Sequence, residues 1–141
     1  RYTIIDPVPP EELPDYLSAS DVGVIAVPPT PSQAFRTPVK SALYWAAGLP
    51  IIIPKGISDD WMITRDYRVG HVVKDLLRVD PDALREWLSE LTGEKSGELR
   101  QRCVETALRF RDTTRMVEVL REALADRGRG QRSPASPGNS R

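Results

Sequence analysis

Apolar positions fall into two kinds of block along this chain. Ile51-Ile52-Ile53 is a run of β-branched residues without polar alternation, the pattern of a strand buried on both faces in a parallel sheet. Shorter blocks at Tyr2–Ile5, Val22–Val27 and Val69–Val73 read as further strands. Between and after them the spacing changes to that of helices. Leu13, Tyr16 and Leu17 share a face within 11–19. Later stripes are Leu84, Trp87, Leu88 and Leu91, then Leu99, Cys103, Ala107 and Phe110 in a helix from about Glu94, then Val117, Leu120 and Leu124 in one from Thr113. Strands alternating with helices predict an α/β fold with a parallel sheet. The expected organisation is a partial α/β domain over 1–78, helices of the same domain over 79–126 and a disordered tail over 127–141, where no apolar residue is larger than alanine.

The stretch from Arg36 to Pro54 carries its own boundaries. Thr37 suits an N-cap and Pro38 the first helical position. Gly48 can take the left-handed conformation that ends a helix, and Pro50 stops it from continuing. The free N–H groups and positive dipole end of such a helix, where Thr37, Val39 and Lys40 fall, make a candidate anion site. The alternative is that Thr37 caps a packing helix and Lys40 is solvated. Before it, 28–36 is a proline-rich irregular loop leaving a strand at the carboxyl edge, where open α/β sheets bind ligands. Phe35 there either packs beneath the loop or stacks on a base or sugar face.

Composition narrows the function. The 141 residues carry 20 basic and 20 acidic side chains and a formal net charge of zero, so no overall field draws nucleic acid or an acidic membrane. One cysteine, Cys103, rules out an internal disulfide framework and reads as a buried structural thiol. No apolar run approaches the roughly 20 residues of a membrane span, and no signal-peptide pattern opens the chain. The expected compartment is cytoplasmic, with peripheral membrane association left open. Ser58 is expected to cap a short helix, with Asp59 and Asp60 in its first turn. These aspartates have no histidine or third carboxylate nearby to suggest a metal. Asp21 reads as a turn or cap acceptor, and His71 as a structural residue on a strand. There is no Ser-His-Asp spacing, phosphate-binding glycine loop or Cys/His cluster.

Taken together, Ser20-Asp21-Val22-Gly23-Val24-Ile25, Pro38-x-Lys40 and Tyr44-x-Ala46-x-Gly48-x-Pro50 resemble the Rossmann-like nucleotide-sugar domain of GT-B glycosyltransferases, above all those of family 4. The resemblance covers roughly 1–75. It implies that the helix after Thr37 holds the donor diphosphate, with Phe35, Arg36, Thr37, Val39, Lys40 and Leu43 at the donor-binding positions. Leu43 and Phe35 stand where the family usually has glutamates for ribose and sugar, and neither side chain accepts a hydrogen bond. Arg36 and Lys40 supply the basic residues on which related branches rely. The resemblance further implies a separate N-terminal acceptor domain bearing most of the catalytic residues. It also implies family strands that would lie between Tyr2–Ile5 and Val22–Val27, and the arginine at position 1 suits a chain cut from something longer.

The expectation is the donor-binding part of an enzyme that transfers sugar from a nucleoside-diphosphate sugar to an acceptor, with no catalytic residue or metal of its own in this chain and no cofactor. The alternatives are a non-catalytic partner subunit that keeps the fold, which Leu43 and Phe35 favour, and another sugar-nucleotide enzyme on the same fold.

Overall fold

A computed structural model describes residues 7–92 and 96–130, the side chains of Arg115 and of 126–130 excepted. The strand expected at Tyr2–Ile5 lies outside the described residues. Six α-helices and three strands follow in the order α1 (Leu13–Ser18), β1 (Gly23–Val24), α2 (Val39–Ala46), β2 (Ile51–Pro54), α3 (Asp60–Asp66), β3 (Gly70–Val73), α4 (Pro81–Glu90), α5 (Ser96–Phe110) and α6 (Thr113–Gly130), counted among the described residues. The strands form a parallel sheet in the order β1-β2-β3, Gly23 standing opposite Ile51 and Ile51 opposite Gly70. The fold is therefore α/β, a three-stranded parallel sheet flanked by helices and Rossmann-like.

The chain divides into two compact units, Arg1–Arg111 and Asp112–Arg141. In the first, Ile51 and Ile53 of β2 are fully buried and meet Ile25, Trp45 of α2, Ile63 of α3, Val69, and Cys103 and Ala107 of α5 in one core. Helices α2 and α5 pack against each other and α3 packs along β2 and β3. Tyr44 lies so close over Gly23 that a side chain there would meet its ring. Arg100 ties α5 to the entrance of β1 by donating to the Ser20 carbonyl at 3.1 Å, with Asp21 at 3.7 Å. Asp21 is thus an exposed ion-pair partner of Arg100. His71 lies against Trp87, ring centroids 5.4 Å apart, joining β3 to α4. Asp80 caps α4 as expected, accepting from the amides of Asp82 and Ala83.

Three expectations shift. The strand expected over Val22–Val27 is paired only at Gly23–Val24, because the Val27 amide turns back to the Ile25 carbonyl at 2.9 Å and leads the chain away from β2 into the prolines. The loop that follows is not wholly irregular: Pro31–Phe35 forms a 3₁₀ turn, which a proline in its first positions suits. In the second unit α6 starts at Thr113 as expected, with Asp112 accepting from the Thr114 amide at 2.8 Å, but it runs to Gly130. The tail boundary expected at Arg127 therefore falls inside a helix. Met116, Val117, Val119, Leu120 and Leu124 are exposed along it.

Candidate functional site

Helix α2 begins beyond the carboxyl end of β1, and its first turn is open. Pro38 occupies the N-cap position and offers no side-chain acceptor. The Ser41 amide is satisfied by the Pro38 carbonyl at 3.1 Å. For the amides of Val39 and Lys40, no acceptor is found among the described residues. Both side chains of this turn face solvent, as does Arg36. Neither Arg36 nor Lys40 is in an ion pair among the described residues. Lys55, just past β2, holds its ammonium 5.5 Å over the Trp61 ring. Two bare amides and two free cations thus share one helix end, the arrangement that favours an anion.

Thr37 does not cap this helix. Its hydroxyl lies 2.9 Å from the Ser58 hydroxyl. Ser58 was expected to cap α3, but that position belongs to Asp59, whose side chain caps nothing. Ser58 instead holds a left-handed backbone, φ 50°, which costs a serine on the order of 1 kcal/mol. Two contacts hold it there: its amide donates to the Gln33 carbonyl at 2.9 Å and its hydroxyl to Asp59 Oδ1 at 2.9 Å. Because a carboxylate only accepts, the Ser58 proton is committed to Asp59, and Thr37 must be the donor to Ser58.

Behind Ser58 lies a charge cluster. Arg111 Nη2 donates to Asp59 Oδ1 at 2.6 Å and also to Asp60 Oδ1, while Nη1 donates to the Phe110 carbonyl at 2.9 Å. Asp60 is fully buried, so it is no ordinary first-turn carboxylate as the sequence suggests. Burial pushes its carboxyl pKa up, and Arg111 and the Ser41 hydroxyl offset this only in part. Ser41 Oγ and Asp60 Oδ2 nonetheless make no hydrogen bond of ordinary geometry, nor does Arg111 Nε. Burial also opposes the charge on Asp59, but Ser58 and Arg111 outweigh it and hold that carboxyl below its usual value. Desolvation works against the Arg111 charge as well, and its two carboxylates more than compensate.

The remaining residues expected here are placed outward. Phe35 is 92% exposed, so it does not pack beneath the loop. Val39 and Leu43, one helical turn apart on α2, are 74% and 41% exposed. Phe35, Arg36, Thr37, Val39, Lys40 and Leu43 therefore form one continuous outward-facing stretch. Its supports Ser58, Asp59, Asp60 and Arg111 were missed as a group. Nothing local marks Arg111, which reads as an ordinary cation at a helix carboxyl end. A separate open cleft of ≈ 700 Å³ lies beside the start of β3 between Arg68, His71, Trp87 and Arg102. None of the expected donor residues lines it, and it opens where strands of such sheets begin, away from the edge that binds ligands.

The geometry defines a Rossmann-like parallel α/β domain with an open helix start beyond its first strand. The family described as glucosyltransferase 3-like, C-terminal domain, matches residues 6–123. The chain belongs to this family and is a glycosyltransferase-related domain. Neither the curated proteins nor the solved structures return a match.

Proposed function

We propose that this domain holds the diphosphate of a nucleoside-diphosphate sugar at the amino end of α2, as the donor half of a GT-B glycosyltransferase of the family 4 type working in the cytoplasm. The observation that carries the reading is the uncapped first turn at Val39 and Lys40, flanked by Arg36 and placed beyond the carboxyl end of β1 in a chain of this family. Its amides and the Lys40 ammonium would stabilise charge as the diphosphate departs, the chief service of such a domain to transfer. Thr37, whose proton goes to Ser58, shapes the turn and leaves phosphate contacts to its neighbours. Phe35 and Leu43 present apolar surface to the nucleoside or sugar where carboxylates would otherwise stand. The acceptor and catalytic groups would come from a separate domain.

Calorimetry of the full-length protein against ADP, CDP, GDP, UDP and dTDP tests this. Binding of at least one diphosphate well above its nucleoside is expected, and no binding ends the reading. A second reading, a partner subunit without turnover, is favoured by the exposure of Phe35, Val39 and Leu43. Donor binding without sugar transfer to any acceptor extract would select it.

A further inference from the structure

Three hydrogen bonds connect the start of α2 to the far end of α5. Thr37 donates to Ser58 over 2.9 Å, Ser58 donates to Asp59 over 2.9 Å, and Arg111 donates to the same Asp59 oxygen over 2.6 Å. The proton order along this row is fixed from both ends, since Arg111 only donates and Asp59 only accepts. One nitrogen, Nη2, serves Asp59 and Asp60 together, and the side chain bearing it is only 16% exposed. Asp60 contributes from beneath, being fully buried near Ser41 of α2. Arg111 is the only cation paired with either carboxylate among the described residues.

We infer that Arg111 is a positioning residue for the donor site, acting through Asp59 and Ser58 on the Thr37 turn that aims the amides of Val39 and Lys40. It works in two ways. Mechanically, it fixes the Asp59 carboxylate that holds the Ser58 hydroxyl, and so the residue to which both Thr37 and the Gln33 carbonyl are tied. Electrostatically, it reduces two negative charges near the helix start to a net of one, which matters to an anion bound there. The inference rests on the proposed donor reading but assigns a residue that touches neither donor nor acceptor.

Ser58→Gly is the sharpest test. Glycine occupies φ 50° without strain, so the variant cuts the row of bonds while leaving the backbone at ease. In the full-length protein its melting temperature should match the parent. Affinity for the best nucleoside diphosphate of the panel should fall about threefold to tenfold, with nucleoside affinity unchanged. Arg111→Lys, which keeps the charge and loses the shared fork, should retain more diphosphate affinity than Arg111→Met. Amide exchange of Ser41, whose bond to the Pro38 carbonyl closes the first turn of α2, should quicken in Ser58→Gly relative to β2, with or without ligand. Unchanged exchange there, or a diphosphate affinity equal to the parent's, overturns the positioning role. Equal losses for nucleoside and diphosphate overturn it too. A parent that binds no diphosphate fails the donor reading instead, and the exchange measurement then still decides whether the coupling exists.

Discussion

The two ends of α2 are finished by different chemistry. At the carboxyl end everything is local. Gly48 turns left-handed at φ 73°, its amide returns to the Trp45 carbonyl at 2.9 Å, and the Leu49 amide reaches the Tyr44 carbonyl at 2.8 Å. This is the paired backbone closure in which a glycine ends a helix. At the amino end nothing local closes the turn. Thr37 turns to Ser58, 21 residues on, and that serine is held through Asp59 by Arg111, which lies 52 residues beyond Asp59. An end closed by its own backbone serves stability alone. An end held by distant side chains leaves its amides exposed, and its geometry depends on the rest of the unit.

The largest effect that would break this contrast falls on the distant anchor. Arg111→Met leaves the buried Asp60 without a cation, and removing one member of such a pair typically costs about 3–5 kcal/mol. Denaturant unfolding should show that loss, and the double variant Arg111→Met with Asp60→Leu should recover most of it. If the single variant costs nothing, the cluster is not an anchor.

Next comes Lys40→Ala in the full-length protein. A charge-assisted contact in a partly desolvated cleft is worth about 1.5–3 kcal/mol, so diphosphate affinity should drop roughly tenfold to a hundredfold. Nucleoside affinity and melting temperature should not change. Equal losses of nucleoside and diphosphate would mean that the open end does not hold phosphate.

The closed end should behave in the opposite way. Gly48→Ala puts a methyl group on a left-handed residue whose added carbon would meet Arg100 Cβ at 3.4 Å, a change expected to cost about 1–2 kcal/mol of stability. Diphosphate affinity should stay at the parent value, as calorimetry would show.

The smallest effect is in the pH dependence, where the adjacent aspartates have opposite signs. Asp60 has its folded pKa raised above 3.8, so the folded state takes up its proton first and gains stability as pH falls through that raised value. Asp59 has its folded pKa below 3.8, so its contribution is present above 3.8 and is lost as pH falls through the lower value. Melting curves should therefore hold or rise slightly into mild acid and fall below it. Asp60→Asn should remove the first limb and Asp59→Asn should soften the second.

The sequence showed clearly those parts of the molecule whose causes are near in the chain. Gly48 before Pro50, the three isoleucines of β2 and the Asp80 cap of α4 each specify their structure within a few residues, and each element is found where expected, although Ile52 is only half-buried where burial on both faces was expected. Thr37, Ser58 and Asp60 were misread for one reason. Each is a residue type that caps helices locally, and each is claimed by a partner from another element. Asp60 was the hardest to read, since a surface carboxylate and a buried one are the same letter until Arg111 arrives from 51 residues away. For Phe35 the sequence left two readings open, and its exposure at the end of the 3₁₀ turn removes the packed one.

Cys103, the one thiol in the chain, is fully buried in α5, and burial pushes its pKa up to about 12. A thiol in that state reacts with neither alkylating reagents nor oxidants while the helix is seated, because the thiolate is the reactive form. Its modification rate consequently reports how often α5 lifts from the core. Within this chain Cys103 is thus a built-in probe of that opening, and the purified chain needs no introduced label to use it.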